Sequence, residues 1–166
     1  MGRDKARLPF RGGTLASAVA KAVEAAAGCA VLVGHPELGG IPDLYPGQGP
    51  LGGILTALHH TSTDWNLIVA CDMPEVTPGF LRNLLDTAES RGCSVLLPES
   101  AEGCPEPLCA VYRRDVLDVM ENRFHQGVRK VTAAFEGVDV ARIHIAENIS
   151  FQNVNTPEDW AAYAAD

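Results

Sequence analysis

No excess of positive charge marks this chain: 13 Lys and Arg stand against 21 Asp and Glu, a net charge of −8. A general nucleic-acid binder carries a basic footprint, so that class is excluded. No apolar run approaches the roughly 18 residues of a membrane span, and no membrane partner is expected. The N-terminal stretch MGRDKARLPFRGG lacks the apolar core of a signal peptide. A cytoplasmic location is the expectation. The five cysteines (Cys29, Cys71, Cys93, Cys104 and Cys109) include no C-x-x-C pair. An odd count without that spacing argues against a disulfide framework or a zinc site and reads as reduced thiols in the core. Also missing are H-E-x-x-H, G-x-S-x-G, a Walker A motif and G-x-G-x-x-G, which removes the commonest metalloprotease, serine-hydrolase, P-loop and dinucleotide signatures. Charge is scarce at 20% of residues while 46% are hydrophobic, so the chain is globular rather than disordered.

Apolar runs alternate with amphipathic stretches. The spacing predicts a helix over residues 14–27, with Thr14 as N-cap and Gly28 as stop. Strands are expected over 29–33, 41–45, 66–71, 94–97, 108–112 and 140–145. Further helices are expected from the Gly/Pro loop to His60, over 78–91, 115–124 and 128–135, and from Thr156 through Tyr163. No repeat or linker breaks the pattern, so residues 1–166 read as one domain. Buried strands alternating with helices predict a largely parallel sheet covered on both faces. In such folds ligands bind beyond the carboxyl ends of the strands. Gly34-His35, Asp43 and Asp72 stand at those positions.

Four features carry chemistry, each with a plainer alternative. Asp72 ends the clearest strand and precedes Met73-Pro74. A carboxylate there suits a hard cation such as Mg²⁺, or it simply opens a turn. Gly49-Pro50-Leu51-Gly52-Gly53 opens a helix, where glycines let backbone N–H groups approach an anion, or only make a tight entry. Residues 1–11 hold Arg3, Lys5, Arg7 and Arg11 against Asp4. That segment is a phosphate partner or a solvated tail. Asn153-Val154-Asn155-Thr156-Pro157 reads as a loop and helix cap.

Taken in order, MGRDKARLPF, IPDLYPGQGPLGGILTALHH, NLIVACDMPEVTPGFL, PEPLCAVYRRDVL and FQNVNTPEDWAAY resemble the molybdenum cofactor guanylyltransferases. The resemblance runs almost end to end. It implies a three-layer α/β/α nucleotidyltransferase-like (Rossmann-like) domain with a mostly parallel sheet. It implies transfer of GMP from GTP to molybdopterin with Mg²⁺, release of pyrophosphate, and molybdoenzyme-maturation proteins as partners. By the same resemblance Lys5 contacts phosphate, Asp72 holds Mg²⁺ and acts with Lys5 in catalysis, and Asp43 and Gly52 line the nucleotide site. Asn153 and Asn155 belong to the second-substrate side. Related cytidylyltransferases and a non-catalytic binding module share the pattern. In the family a first strand and a double-glycine loop precede the Met-Gly with which this chain opens. The expectation is therefore a truncated fold lacking that strand and loop.

Overall fold

The computed structural model describes residues 5–100 and 102–145. Four strands form the main sheet: β3 (Trp65–Val69), β4 (Val95–Glu99), β5 (Cys109–Arg113) and β6 (Val140–His144), in the order β3-β5-β4-β6. β5 runs antiparallel to both of its neighbours, and β4 pairs in parallel with β6. β3, β4 and β6 thus share one direction, with β5 inserted against it. The expectation of a largely parallel sheet is amended at β5, because hydrophobic pattern locates a strand but does not encode its direction.

Alternation along the two central strands builds two cores. Val95 and Leu97 of β4 and Ala110 and Tyr112 of β5 face α2 (Pro50–His60) and α4 (Leu117–His125). Leu96, Cys109 and Val111 face the opposite side. There they meet α3 (Pro78–Arg91) and the end of α1 (Leu15–Ala27). The result is three layers, as period-two side-chain alternation requires of a sheet covered on both faces. The first four residues of β5 and all of β4 are buried, whereas β3 is half-exposed along its length. Amide exchange is therefore expected to be slowest in β4 and β5 and faster in β3. Slowest exchange in β3 would contradict this packing.

Local chemistry explains the helix ends. Thr14 caps α1: its hydroxyl accepts from Ser17 N–H, and the Ser17 hydroxyl accepts in turn from Thr14 N–H. Gly28 closes the helix at φ 86°. Thr77 caps α3, Pro78 fills its first turn, and Gly92 ends it. Before α1, β1 (Pro9–Phe10) and β2 (Gly13–Thr14) form a small hairpin. Arg11 and Gly12 make its turn at φ 43° and 77°, the two-residue geometry whose twist suits a hairpin.

Three expected elements differ. Residues 29–33 form no strand. Only Val33 bridges to Ile41, and Val31 is 53% exposed. Apolar content creates a tendency to bury, but a strand also needs a partner, and among the described residues none runs beside this stretch. Residues 41–45 likewise form no ladder, because side chains capture their N–H groups: Tyr45 N–H donates to Asp43 and Leu44 N–H to Thr56. Over 128–135 only a short 3₁₀ turn forms, Val131–Phe135. The thiols also divide. Cys93 and Cys109 are buried and Cys71 half-buried, but Cys29 and Cys104 are exposed rather than in the core. No helix among the described residues is long and apolar enough to cross a membrane. The helix expected from Thr156, with Asn153 and Asn155, lies outside the described residues.

Candidate functional site

β3 leads directly to the site. Past its last residue, Ala70 N–H donates to Leu108 O at 2.7 Å, which keeps the chain beside the end of the β5 segment. The turn that follows, closed by Met73 N–H on Ala70 O, carries Asp72. Asp72 is half-buried and meets Lys5 Nζ through Oδ2 at 3.1 Å. Lys5 begins a single 3₁₀ turn, Lys5–Arg7, before the β1–β2 hairpin. Two more contacts fasten this segment. Arg11 Nη2 lies 3.4 Å from Glu75 Oε1, and Arg7 Nη2 lies 2.7 Å from Glu37 Oε1. Lys5 and Asp72 are 67 residues apart in the chain, yet the fold makes them partners.

A second carboxylate, Glu106, feels the charge of Asp72. Glu106 is held by its backbone: its N–H donates to Pro98 O, and its carbonyl accepts from Cys109 N–H. Tyr112, fully buried, donates its hydroxyl to Pro107 O at 2.7 Å and fixes the same loop. Burial, and then the negative charge of Asp72, raise the Glu106 carboxyl above the ordinary carboxylate range. The sign for stability follows from linkage. A carboxyl whose folded pKa is raised binds its proton more tightly when folded. Its ionised form therefore weakens the fold, and the loss sets in as pH rises through that raised range. Glu106→Gln is expected to raise Tm near neutral pH and to flatten the acidic part of the Tm–pH curve. Thermal melts of both proteins across about pH 4 to 8 test this, and a lower Tm for the variant at neutral pH would contradict it.

Asp43 and the glycine loop form the other side of the candidate site. Asp43 Oδ1 accepts from Tyr45 N–H at 2.9 Å and lies 2.8 Å from Thr56 Oγ1. Gly34 approaches Asp43, since a Cβ added to Gly34 would lie 3.9 Å from the Asp43 Cβ. Gly49 leads into α2 at φ 80°, and no side chain caps the helix. Pro50 has no N–H and Gly52 N–H already donates to Gly49 O at 3.1 Å, so the first turn leaves little backbone for an anion. Gly52 is buried, and a Cβ there would come within 3.0 Å of the Tyr45 Cβ and 3.2 Å of its carbonyl. Its need for glycine is accounted for by that close approach, whereas Gly53 has open space around it. Tyr45 itself donates to Glu121 Oε1 at 2.5 Å, and His59 Nε2 lies 2.6 Å from the same oxygen. This bond holds the Tyr45 phenol up at about 12 and draws the Glu121 carboxyl down. His35, also singled out after an expected strand, lies 3.3 Å from Glu37.

Lys5 and Asp72 are therefore brought together, and Asp43 and Gly52 are brought together through Tyr45 and Thr56. A cavity of about 490 Å³ lies elsewhere, between Leu97, Arg123, Phe135, Val140 and Arg142, and none of the candidate residues lines it. Glu106 and Thr56 were not singled out from the sequence. Glu106 had only its place in the PEPL segment as a signal. Thr56 had its position as a lone hydroxyl in an apolar helix, four residues after Gly52.

The model of the MobA-like NTP transferase domain matches residues 1–140. A Clostridium perfringens protein named "Probable molybdenum cofactor guanylyltransferase" is 34% identical over 127 residues, which cover 71% of this chain and 63% of that protein. A Methanothermobacter thermautotrophicus protein of the same name is 38% identical over 125 residues, 72% of this chain and 63% of its own length. The chain thus spans less than two thirds of these relatives. The crystal structure of molybdopterin-guanine dinucleotide biosynthesis protein A from Archaeoglobus fulgidus superposes with a TM-score of 0.81 at 30% identity. The match covers 99% of this chain and 91% of that one.

Proposed function

Since the chain belongs to the family of MobA-like NTP transferases, we propose that it transfers GMP from GTP to molybdopterin and releases pyrophosphate. The names of its relatives supply the nucleotide and the acceptor. The observation that carries the reading in this chain is the Lys5–Asp72 pair at the carboxyl end of β3, where open α/β sheets bind ligands.

The reaction needs few covalent roles from the protein. A terminal phosphate oxygen of molybdopterin forms a bond to the α-phosphorus of GTP, and the bond from that phosphorus to the bridging oxygen of pyrophosphate breaks. Several negative charges must meet, so positioning and cationic compensation dominate. Lys5 is a compact point charge suited to phosphate. A triphosphate gives its ammonium a more highly charged partner than Asp72 alone, and that exchange frees the Asp72 carboxylate. Asp43 and the entry to α2 line the nucleotide side.

Mg²⁺ belongs to this proposal. No group of three or more metal-ligating side chains occurs among the described residues, but Mg²⁺ typically uses one or two carboxylates together with phosphate oxygens. Asp72 fits that donor set, with Glu106 as its acidic neighbour. When bound, the ion would offset charge on the phosphate oxygens. A cytoplasmic location and molybdoenzyme-maturation proteins as recipients of the product complete the reading.

The test is pyrophosphate release by the purified chain with Mg²⁺, molybdopterin and either GTP or CTP. Release that requires both molybdopterin and GTP is expected. A preference for CTP would make the chain a cytidylyltransferase, and no release with either would make it a non-catalytic binding module.

A further inference from the structure

Thr56 is one of only two polar or charged residues buried among the described residues, at 1% exposure in the middle of α2. Leu55 and Leu58 beside it belong to the core, so a hydroxyl there has a desolvation cost that its partners must offset. A threonine inside a helix usually returns its proton to the carbonyl four residues back. Gly52 O does lie 2.9 Å away. Asp43 Oδ1 lies 2.8 Å away as well, and Thr56 Oγ1 accepts from Leu44 N–H at 3.0 Å. One proton faces two acceptors, and the bond to the carboxylate is the stronger of the two.

We propose that Thr56 is a positioning residue, whose buried hydroxyl fixes the Asp43 carboxylate and the 43–45 turn against α2 for nucleotide binding. Oδ1 of Asp43 is filled by Thr56 Oγ1–H and Tyr45 N–H. The rotation of the carboxylate is thereby set, and Oδ2 is left to face a ligand. The same hydroxyl holds Leu44 N–H, so a single atom joins the side chain and the backbone of the turn to the helix that the glycine loop opens. The Tyr45–Glu121–His59 contacts secure the far end of the turn independently.

This inference rests on the proposed function, and the test separates the two. GTP KM and kcat are measured for the wild-type chain, Asp43→Ala, Thr56→Val, Thr56→Ser and the Asp43→Ala/Thr56→Val double variant. Thr56→Val removes the hydroxyl at nearly constant volume and is expected to raise KM about tenfold, the scale of a lost hydrogen bond to a charged group. It leaves kcat within about threefold, and Thr56→Ser restores the wild-type KM. In the Asp43→Ala background Thr56→Val adds much less than it does alone, because most of its effect runs through that carboxylate and only the Leu44 N–H contact remains to be lost. Should Thr56→Val show no cooperative melt, Thr56→Ala takes its place, since it leaves room for water at Leu44 N–H. An unchanged KM for the Thr56 variants beside a raised KM for Asp43→Ala overturns the inference alone. An equal further rise in the double variant does the same, since Thr56 would then act only as core. An unchanged KM for Asp43→Ala overturns the nucleotide role of Asp43 and the inference with it, and a wild-type chain without turnover removes both.

Discussion

Asp72→Ala is expected to lower Mg²⁺-dependent GTP turnover by about 100- to 1000-fold while leaving the fold in place. The magnitude follows from the proposed role: if Asp72 helps to hold Mg²⁺, its loss would remove several kcal/mol of transition-state stabilisation, and each 1.36 kcal/mol is tenfold in rate. The small structural effect follows from exposure. Asp72 and Lys5 keep 20% and 30% of their side-chain surface, and a partly exposed pair contributes at most about 1 kcal/mol. Glu106 would also lose the negative neighbour that raises its carboxyl, which offsets part of that. The check is initial rates at several Mg²⁺ concentrations beside a thermal melt. A rate within tenfold of wild type would sink the metal assignment. A collapsed Tm would mean that the carboxylate acts on the fold instead.

Lys5→Met should lower kcat/KM for GTP by about 10- to 100-fold, less than the loss at Asp72. Methionine keeps much of the length of the stem and removes only the charge. What is lost is a charge-assisted contact to phosphate, about 1.5 to 3 kcal/mol. Lys5→Arg should recover the activity only in part, because a planar guanidinium does not reproduce a compact ammonium. Steady-state kinetics of the two variants, with pyrophosphate as an inhibitor, provide the measurement. If Lys5 grips the leaving phosphates, pyrophosphate inhibits the methionine variant less than the wild type. Equal inhibition would place Lys5 outside the phosphate site.

The sequence reading and the structure agree best where local chemistry decides. The cap at Thr14 and the stop at Gly28 depend on nearby residues, and they stand where the residue types placed them. Strands β3 and β4 were also legible, because Leu67–Ile68–Val69 and Val95–Leu96–Leu97 are continuous apolar runs. Partnership and direction were not legible. Residues 29–33 are as apolar as a strand, but a strand needs a neighbour, and among the described residues only Ile41 bridges to this stretch. β5 reads the same in either direction. The site divides in the same way. Lys5 and Asp72 stand out through the ordered motifs of the family, and the 3.1 Å contact then joins them. Thr56 and Glu106 gain their significance only from neighbours distant in sequence, Asp43 for one and Asp72 for the other. One residue of a periodic pattern carries no sign of such a partner.

The pairing order of the sheet also bears on when the site exists. β4 and β5 are joined by the short segment 100–108, whereas β3 must close over residues 70–108 to reach β5. Two doublings of loop length add roughly 1 kcal/mol of closure entropy, so the central pair is the cheaper to assemble and β3 joins a surface already made. β3 is also the strand that delivers Asp72. Among the described residues β3 is an edge strand, so the chemistry hangs on the rim of this sheet, and a molecule opening from that rim loses Asp72 from its place beside Lys5 before the central pair comes apart. If Lys5 holds the phosphates of a bound nucleotide and Asp72 its Mg²⁺, as proposed, binding would close that rim and shift its opening toward the cost of unfolding the whole domain.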